Sequence, residues 1–216
     1  MGRMAEVSWE SLDEAWREAF RQAWLAFRGG NCAVGACATT PDGVIVHAAR
    51  NRIEDQSGPP GEVFGSMLAH AEINVLARIP AGHPRNLVLT TTLVPCIQCA
   101  AAIRLGPVAT VRFAGTDPLW DGCHDFGPLS AREAARTAKK TVYAGPMRDE
   151  LGTFATLISR FWRRGPDAEG FLRAAGEGGI LDLVQELEAS GEVPRLAALE
   201  VHEAFASLRP RLREIA

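Results

Sequence analysis

Residues 86–103 run NLVLTTTLVPCIQCAAAI, and their reading decides the fold. After Asn86, the six positions Leu87–Thr92 are apolar or β-branched with almost no alternation, the pattern of a strand buried on both faces. Val94–Pro95 turns the chain, and the segment from about Cys96 to Leu105 then reads as a helix. A strand feeding directly into a helix belongs to a layered α/β domain. Cys96 and Cys99 fall three apart on the first helical turn, so both sulfurs can face one point. The positive end of a helix also stabilises thiolates. Such a pair serves either thiol redox chemistry or metal ligation.

Upstream lies His70–Ala71–Glu72, near the start of a helix expected over Leu68–Ile79. The combined pattern is H-x-E, a gap, then P-C-x-x-C. One imidazole and two thiolates make a three-ligand zinc set, His70, Cys96 and Cys99, with a fourth tetrahedral position open to water. Zinc would lower that water's pKa, making the bound hydroxide a nucleophile near neutrality. Glu72, two residues from His70, would take the water proton and pass it to a ring nitrogen, and a later, second transfer to a departing amine would release ammonia. A zinc that merely staples the fold would normally have a fourth protein ligand.

Outward from these motifs, the remaining elements follow. Ser8 or Ser11 is placed to cap a first helix, with Glu14 completing a capping box. Leu12, Trp16, Phe20, Trp24 and Phe27 form its apolar stripe, and Gly29–Gly30 end it. CAVGACATT (32–40) and VIVHAA (44–49) flank the turn Pro41–Asp42–Gly43 as a hairpin. Residues 50–66 form a long polar loop. VATVRFAG (108–115) is a strand, residues 116–128 a loop, Ser130 caps a short helix to Ala138, and TVYAG (141–145) is the last strand. The helix between these two strands implies parallel pairing. The fold class is therefore α/β, a three-layer α/β/α domain over residues 1–150 with a five-stranded mixed sheet. A helical extension over 151–216 follows, with helices at Leu151–Arg163, Ala168–Ala175, Ile180–Ala189 and Leu196–Leu208. It reads as packing for the sheet domain or a partner subunit, or as a substrate-selecting lid.

With these motifs on the page, the chain resembles the cytidine and deoxycytidylate deaminase-like superfamily, especially its tRNA adenosine deaminase and guanine deaminase branch. The likeness covers about residues 12–148, through VGACATTPDGVIV, Arg50–Asn51–Arg52, AHAEINVL, TTLVPCIQCAAAI and FAGTDP. It implies a cytidine-deaminase-like fold and zinc-dependent hydrolytic deamination of a base, with Zn2+ as cofactor. It also implies that Asn51 hydrogen-bonds the base or sugar and that Ala71 offers its backbone to the ring. The backbone N–H of Cys96 would steady the developing oxyanion. The chain departs from the family at Val94, where Glu usually precedes Pro-Cys, so one edge of the pocket differs.

Several residues carry a functional reading beside a structural one. Trp120 is placed to stack on a base, and one of Asp117, Asp121 or Asp125 to accept hydrogens from an exocyclic amine. Phe64, just before the His70 helix, is placed to cover the pocket. Cys123 and His124 suggest a second metal site, completion of the first, or a pocket loop whose polar groups are capped locally. Cys32 and Cys37 read as small core residues, and Arg50 and Arg52 as phosphate contacts or solvated loop charges. His47, His83 and His202 receive no role.

The formal net charge of -3 over 216 residues lacks the concentrated basic surface that polynucleotides need. A small nucleoside or nucleobase, purine or cytidine-like, is thus favoured over nucleic acid as partner. The alternatives are a tRNA or other nucleic-acid deaminase, which would need a basic, aromatic groove, and a non-catalytic binding protein on the same fold. No apolar run approaches the roughly 20 residues of a membrane span, and the N-terminus lacks a secretory pattern. No membrane partner and a cytoplasmic location are expected. Five cysteines, an odd number, argue against a disulfide framework. A 47% hydrophobic fraction in a small chain suggests a homodimer.

Overall fold

A computed structural model describes residues 8–126, 141–162 and 165–215. Five strands form one mixed sheet in the order β2-β1-β3-β4-β5. They are β1 (Gly35–Thr39), β2 (Ile45–Arg50), β3 (Leu87–Leu93), β4 (Val108–Gly115) and β5 (Val142–Ala144). β1 pairs antiparallel with β2 and β3, whereas β3–β4 and β4–β5 are parallel. The three-layer arrangement expected from the sequence is thus the observed one. The short helix expected after Ser130 lies outside the described residues.

Strand alternation sorts the two faces. Leu87, Leu89, Thr91 and Leu93 of β3 point to the side holding α2 (Ala71–Ala77) and α3 (Ile97–Leu105). Their core includes Ala36, Ala38, Val75, Ile103 and Val111. The opposite face is covered by α1 (Glu14–Arg28) and α4 (Glu150–Arg160). Where the helices approach closest, this face carries the small residues Gly35, Cys37 and Ala114. A Cβ on Gly35 would lie 2.2 Å from the carbonyl oxygen of Ala19 in α1.

The extension continues through α5 (Pro166–Leu172), a kinked turn with Gly176 at φ 98°, α6 (Gly178–Ala189), α7 (Val193–Ala198) and α8 (Val201–Ile215). Its apolar faces join those of α1 and α4 in one continuous core around Phe20, Phe154, Leu187, Phe205 and Leu212. Phe154 packs edge-on to Phe205 with ring centroids 5.5 Å apart. Trp16 and Trp24 are core residues, and Trp24 Nε1 donates to the Leu199 carbonyl at 2.9 Å.

Among the boundaries that differ from the sequence reading, three have a visible cause. The cap of α1 is Asp13, which accepts from Trp16 N–H at 3.0 Å, while Ser8–Ser11 make a single preceding turn. Arg112 of β4 decides this, because it grips both Asp13 oxygens at 2.7 and 3.0 Å. The second helix begins at Ala71 instead of Leu68, because Arg52 N–H holds the Ala69 carbonyl at 2.9 Å in loop conformation. The expected Leu196–Leu208 helix is two helices, broken where Leu199 O serves Trp24. The second runs on through Pro210 so that Leu212 is fully buried.

Candidate active site

Two helix starts converge below the sheet's carboxyl ends. His70 is the N-cap residue of α2 and Cys96 that of α3, both in extended conformation. Cys99 follows on the first turn of α3. The His70 Nδ1 lies 3.5 Å from Cys96 Sγ and 3.4 Å from Cys99 Sγ. For tetrahedral zinc with bonds of about 2.0 Å to nitrogen and 2.3 Å to sulfur, the donors would stand about 3.6 Å apart. All three donor atoms fall within 4.8 Å of one another. Chemistry and spacing of the donor set therefore fit zinc.

The electrostatics suit the same use. A hydrogen bond from Cys99, working against burial and joined by His70, brings the Cys96 thiol down to about 4. The same sulfur–sulfur hydrogen bond and burial push Cys99 up. The two thiols are thus pushed in opposite directions, and a metal held by this pair would need both as thiolates.

Glu72 is buried at the floor of the cluster. Thr91 Oγ1 of β3 donates to its Oε1 at 2.9 Å, and the Cys99 thiol to its Oε2 at 3.3 Å. Burial holds the Glu72 carboxyl above its ordinary range, although the nearby His70 charge opposes this. An upward shift makes the carboxylate a stronger base than a free glutamate, the direction that suits a group taking a proton from water.

Above these groups opens a cavity of about 380 Å³, within the size range of small-ligand sites. His70, Glu72 and Cys96 form its polar end. Asn51, Asp117 and Trp120 line it too, as do Val34, Ile53, Leu93 and Val94. Asn51 is buried, and its Oδ1 accepts from Ile53 N–H at 3.0 Å, which fixes the orientation of the amide. Asp117 is also buried and caps the turn Pro118–Trp120 by accepting from Leu119 N–H at 3.2 Å.

Most of the other anticipated residues lie away from the cavity, while Ala71 directly follows His70. Phe64 is 41% exposed, packs beside Gly58 and is not among the described residues lining the cavity. Ala71 is fully buried at the start of α2. Asp121 lines a neighbouring cleft that shares Val94 and Asp117 with the cavity, and Asp125 is exposed. The Cys123 thiol donates to Pro95 O at 3.2 Å, and burial pushes it up to about 11. His124 stacks on Tyr143 at 4.2 Å. Among the described residues, these two join no metal cluster. Arg50 and Arg52 are spent on Asp55 and Glu62 at 2.6–2.8 Å, which folds the 50–66 loop around Asn51.

Sequence reasoning missed three groups. Trp162, Gly165 and Ala168 of the extension line the cavity. Asn74 of α2 binds both backbone groups of Val63 and so pins the loop. Cys32, read as core, also reaches the cavity wall. The only available hint was the tryptophan at the end of a helical run, since contacts this distant in sequence leave no local pattern.

Residues 10–114 match the model of the cytidine and deoxycytidylate deaminase zinc-binding region. Over 108 residues the chain is 31% identical to a tRNA-specific adenosine deaminase of Aquifex aeolicus. That stretch is 48% of this chain and 66% of the relative. A mutant protein crystallised with 8-azaguanine superposes with a TM-score of 0.50 at 19% identity, over 68% of this chain and 85% of that one. The guanine deaminase from Nitrosomonas europaea gives 0.49 at 15% identity, over 73% and 86%. The chain has the fold of the cytidine and deoxycytidylate deaminase superfamily. Its fold and buried His/Cys/Cys cluster support a metal-dependent enzyme of deaminase type.

Proposed function

We propose that the protein is a zinc-dependent hydrolytic deaminase of a small nucleoside or nucleobase, releasing ammonia. The observation that carries this reading is Glu72 held beside the His70–Cys96–Cys99 cluster at the closed end of a ligand-sized cavity. His70, Cys96 and Cys99 would hold the ion. When bound, zinc supplies a Lewis acid that brings the pKa of a water near neutrality.

The chain's own groups do the rest. Glu72 takes one proton from the attacking water and gives it to the ring nitrogen. As the new C–O bond becomes a carbonyl and the C–N bond breaks, it takes the second proton from that oxygen and gives it to the departing amine, which leaves as ammonia. Thr91 holds one Glu72 oxygen in place. The backbone N–H of Cys96 offers a hydrogen bond to the oxygen entering the ring, and the backbone of Ala71 one to the ring edge. Asn51, its Oδ1 already engaged, presents its amide N–H to an acceptor on the base. Trp120 and Trp162 offer flat apolar faces for stacking, and Asp117 an acceptor for amine hydrogens. Val94 leaves that edge apolar.

Five free cysteines suit a reducing, cytoplasmic compartment, and among the described residues no helix is long and apolar enough to cross a membrane. Exposed Met67, Leu68 and Ile97 near the cavity mouth are consistent with a homodimer. A second reading, deamination of a tRNA base, draws on the 31% identity to the Aquifex relative.

The test is ammonia release by zinc-loaded protein from cytosine, adenine, guanine, their nucleosides and monophosphates, and a tRNA anticodon stem-loop. Glu72→Ala is the control. Turnover of a small compound, absent in the control, is the expected result. Release from RNA alone would replace it with the second reading, and silence throughout would leave a binding protein on this fold.

A further inference from the structure

Arg160 of α4 is buried to 1% side-chain exposure and lies just behind the cavity. Its Nε and Nη2 form a fork onto the two oxygens of Glu177 at 2.6 and 2.7 Å. Nη2 also donates to the Thr116 carbonyl at 3.2 Å, and Nη1 to Ser159 Oγ at 3.1 Å. Nη1 lies 3.5 Å from Oδ2 of Asp117, a cavity-lining carboxylate that is itself 1% exposed. Glu177 reaches this point because Gly176, at φ 98°, turns the chain between α5 and α6.

A buried ion pair of this kind adds little net stability, because losing the water around both charges offsets their attraction. What a bidentate guanidinium does supply is fixed geometry. Here the geometry joins the strand-end segment carrying Asp117 and Trp120 to the helices carrying the other cavity wall. A second tie supports it: Thr156 Oγ1, one helical turn before Arg160, accepts from Thr116 N–H at 3.0 Å. Close contact of α4 with Gly115, where a Cβ would lie 2.7 Å from Thr156 Oγ1, leaves that segment little room to shift.

We propose that Arg160, braced by Glu177, is a positioning residue that sets the Asp117 carboxylate in the cavity wall, so that the site prefers rings bearing an amino group. The C-terminal extension thereby becomes part of substrate selection. The inference rests on the base-deaminase reading above.

The test uses the full zinc-loaded chain carrying Glu72→Ala, so that ligands bind without turnover. Dissociation constants are measured calorimetrically for 2,6-diaminopurine against purine, and for cytosine against pyrimidin-2-one. The parent should prefer one amine-bearing ring over its bare counterpart by on the order of tenfold. Glu177→Gln, which touches no ligand and keeps the side-chain shape, should bring that ratio toward one with little change for the bare ring. Arg160→Met should do the same more strongly, and adding Asp117→Asn to either should cost nothing further. Equal weakening of both rings, or an unchanged ratio in Glu177→Gln, would overturn the positioning role while leaving base binding intact. A parent that binds without preference would also overturn it. A zinc-loaded parent that binds none of the four rings would overturn the base-deaminase reading as well.

Discussion

Glu72 is fixed by very few atoms beside the cluster it would serve in the proposed chemistry. One oxygen of Glu72 is held by Thr91 and the other faces Cys99, so the carboxylate cannot swing away from the cluster. Glu72→Ala should lower turnover by about 10²–10⁴-fold, the usual contribution of a positioned acid–base group. Zinc content and melting midpoint should stay unchanged, and retained activity would remove Glu72 from its role. Cys99→Ala should lose metal and activity together, whereas unaltered zinc by atomic absorption would refute the ligand set. Thr91→Val removes one donor but keeps the shape. It should reduce kcat with KM little altered, because the substrate never meets Thr91. Cys37 marks the contrast between a working and a packed thiol: it lies between strand and α1, and burial pushes it up to about 12.

At the level of elements, the site depends on a strand–helix approach and on a loop. Gly35 lets α1 lie against β1 with no intervening side chain. Gly35→Ala should force the two apart and lower stability by about 1–3 kcal/mol or more, read as a fall in the denaturant midpoint. The 50–66 loop that carries Asn51 is pinned through Asp55. Burial alone would raise the Asp55 carboxyl, but hydrogen bonds from Asn31, Arg52 and Arg50 outweigh it, and the net direction is down. A carboxyl whose folded value lies below its unfolded one stabilises the fold above the unfolded value, about 3.9. That stabilisation is lost as pH falls through the folded value. Denaturant midpoints measured from pH 5 to pH 3 should therefore drop more steeply for the wild-type chain than for Asp55→Asn. Equal slopes would mean that the ion cluster contributes nothing.

Across the whole molecule, the extension and the sheet domain share one core. Phe154 of α4 touches Phe20, Trp24 and Phe205, which come from both ends of the chain. Phe154→Ala should cost about 3–5 kcal/mol, with loss of a single cooperative transition if the two parts then unfold separately. Deleting residues 155–216 would bare Phe20, Trp24 and the face of α4 around Leu151. An insoluble product is the expected outcome, checked by the soluble fraction after expression. A soluble, zinc-binding remainder with altered ligand preference would instead mark the extension as a lid alone.

How much of this was legible beforehand follows from distance along the chain. The cluster could be read from residues 70–99 because its spacings, two and three, are set by helix geometry that sequence displays directly. The sheet could be read because β-branched runs and turn residues are local signals. The cap of α1 could not, since Asp13 prevails over Ser11 through Arg112, 99 positions away. Nor could the wall made by Trp162, Gly165 and Ala168, or the tie from Arg160 to Asp117. The sequence by itself marked His70, Cys96 and Cys99 as a set that could hold a metal and Glu72 as the carboxylate beside it. Only the tertiary structure decided what lines the cavity, because those residues meet through the packing of the extension onto α1 and the sheet, and no local period records that.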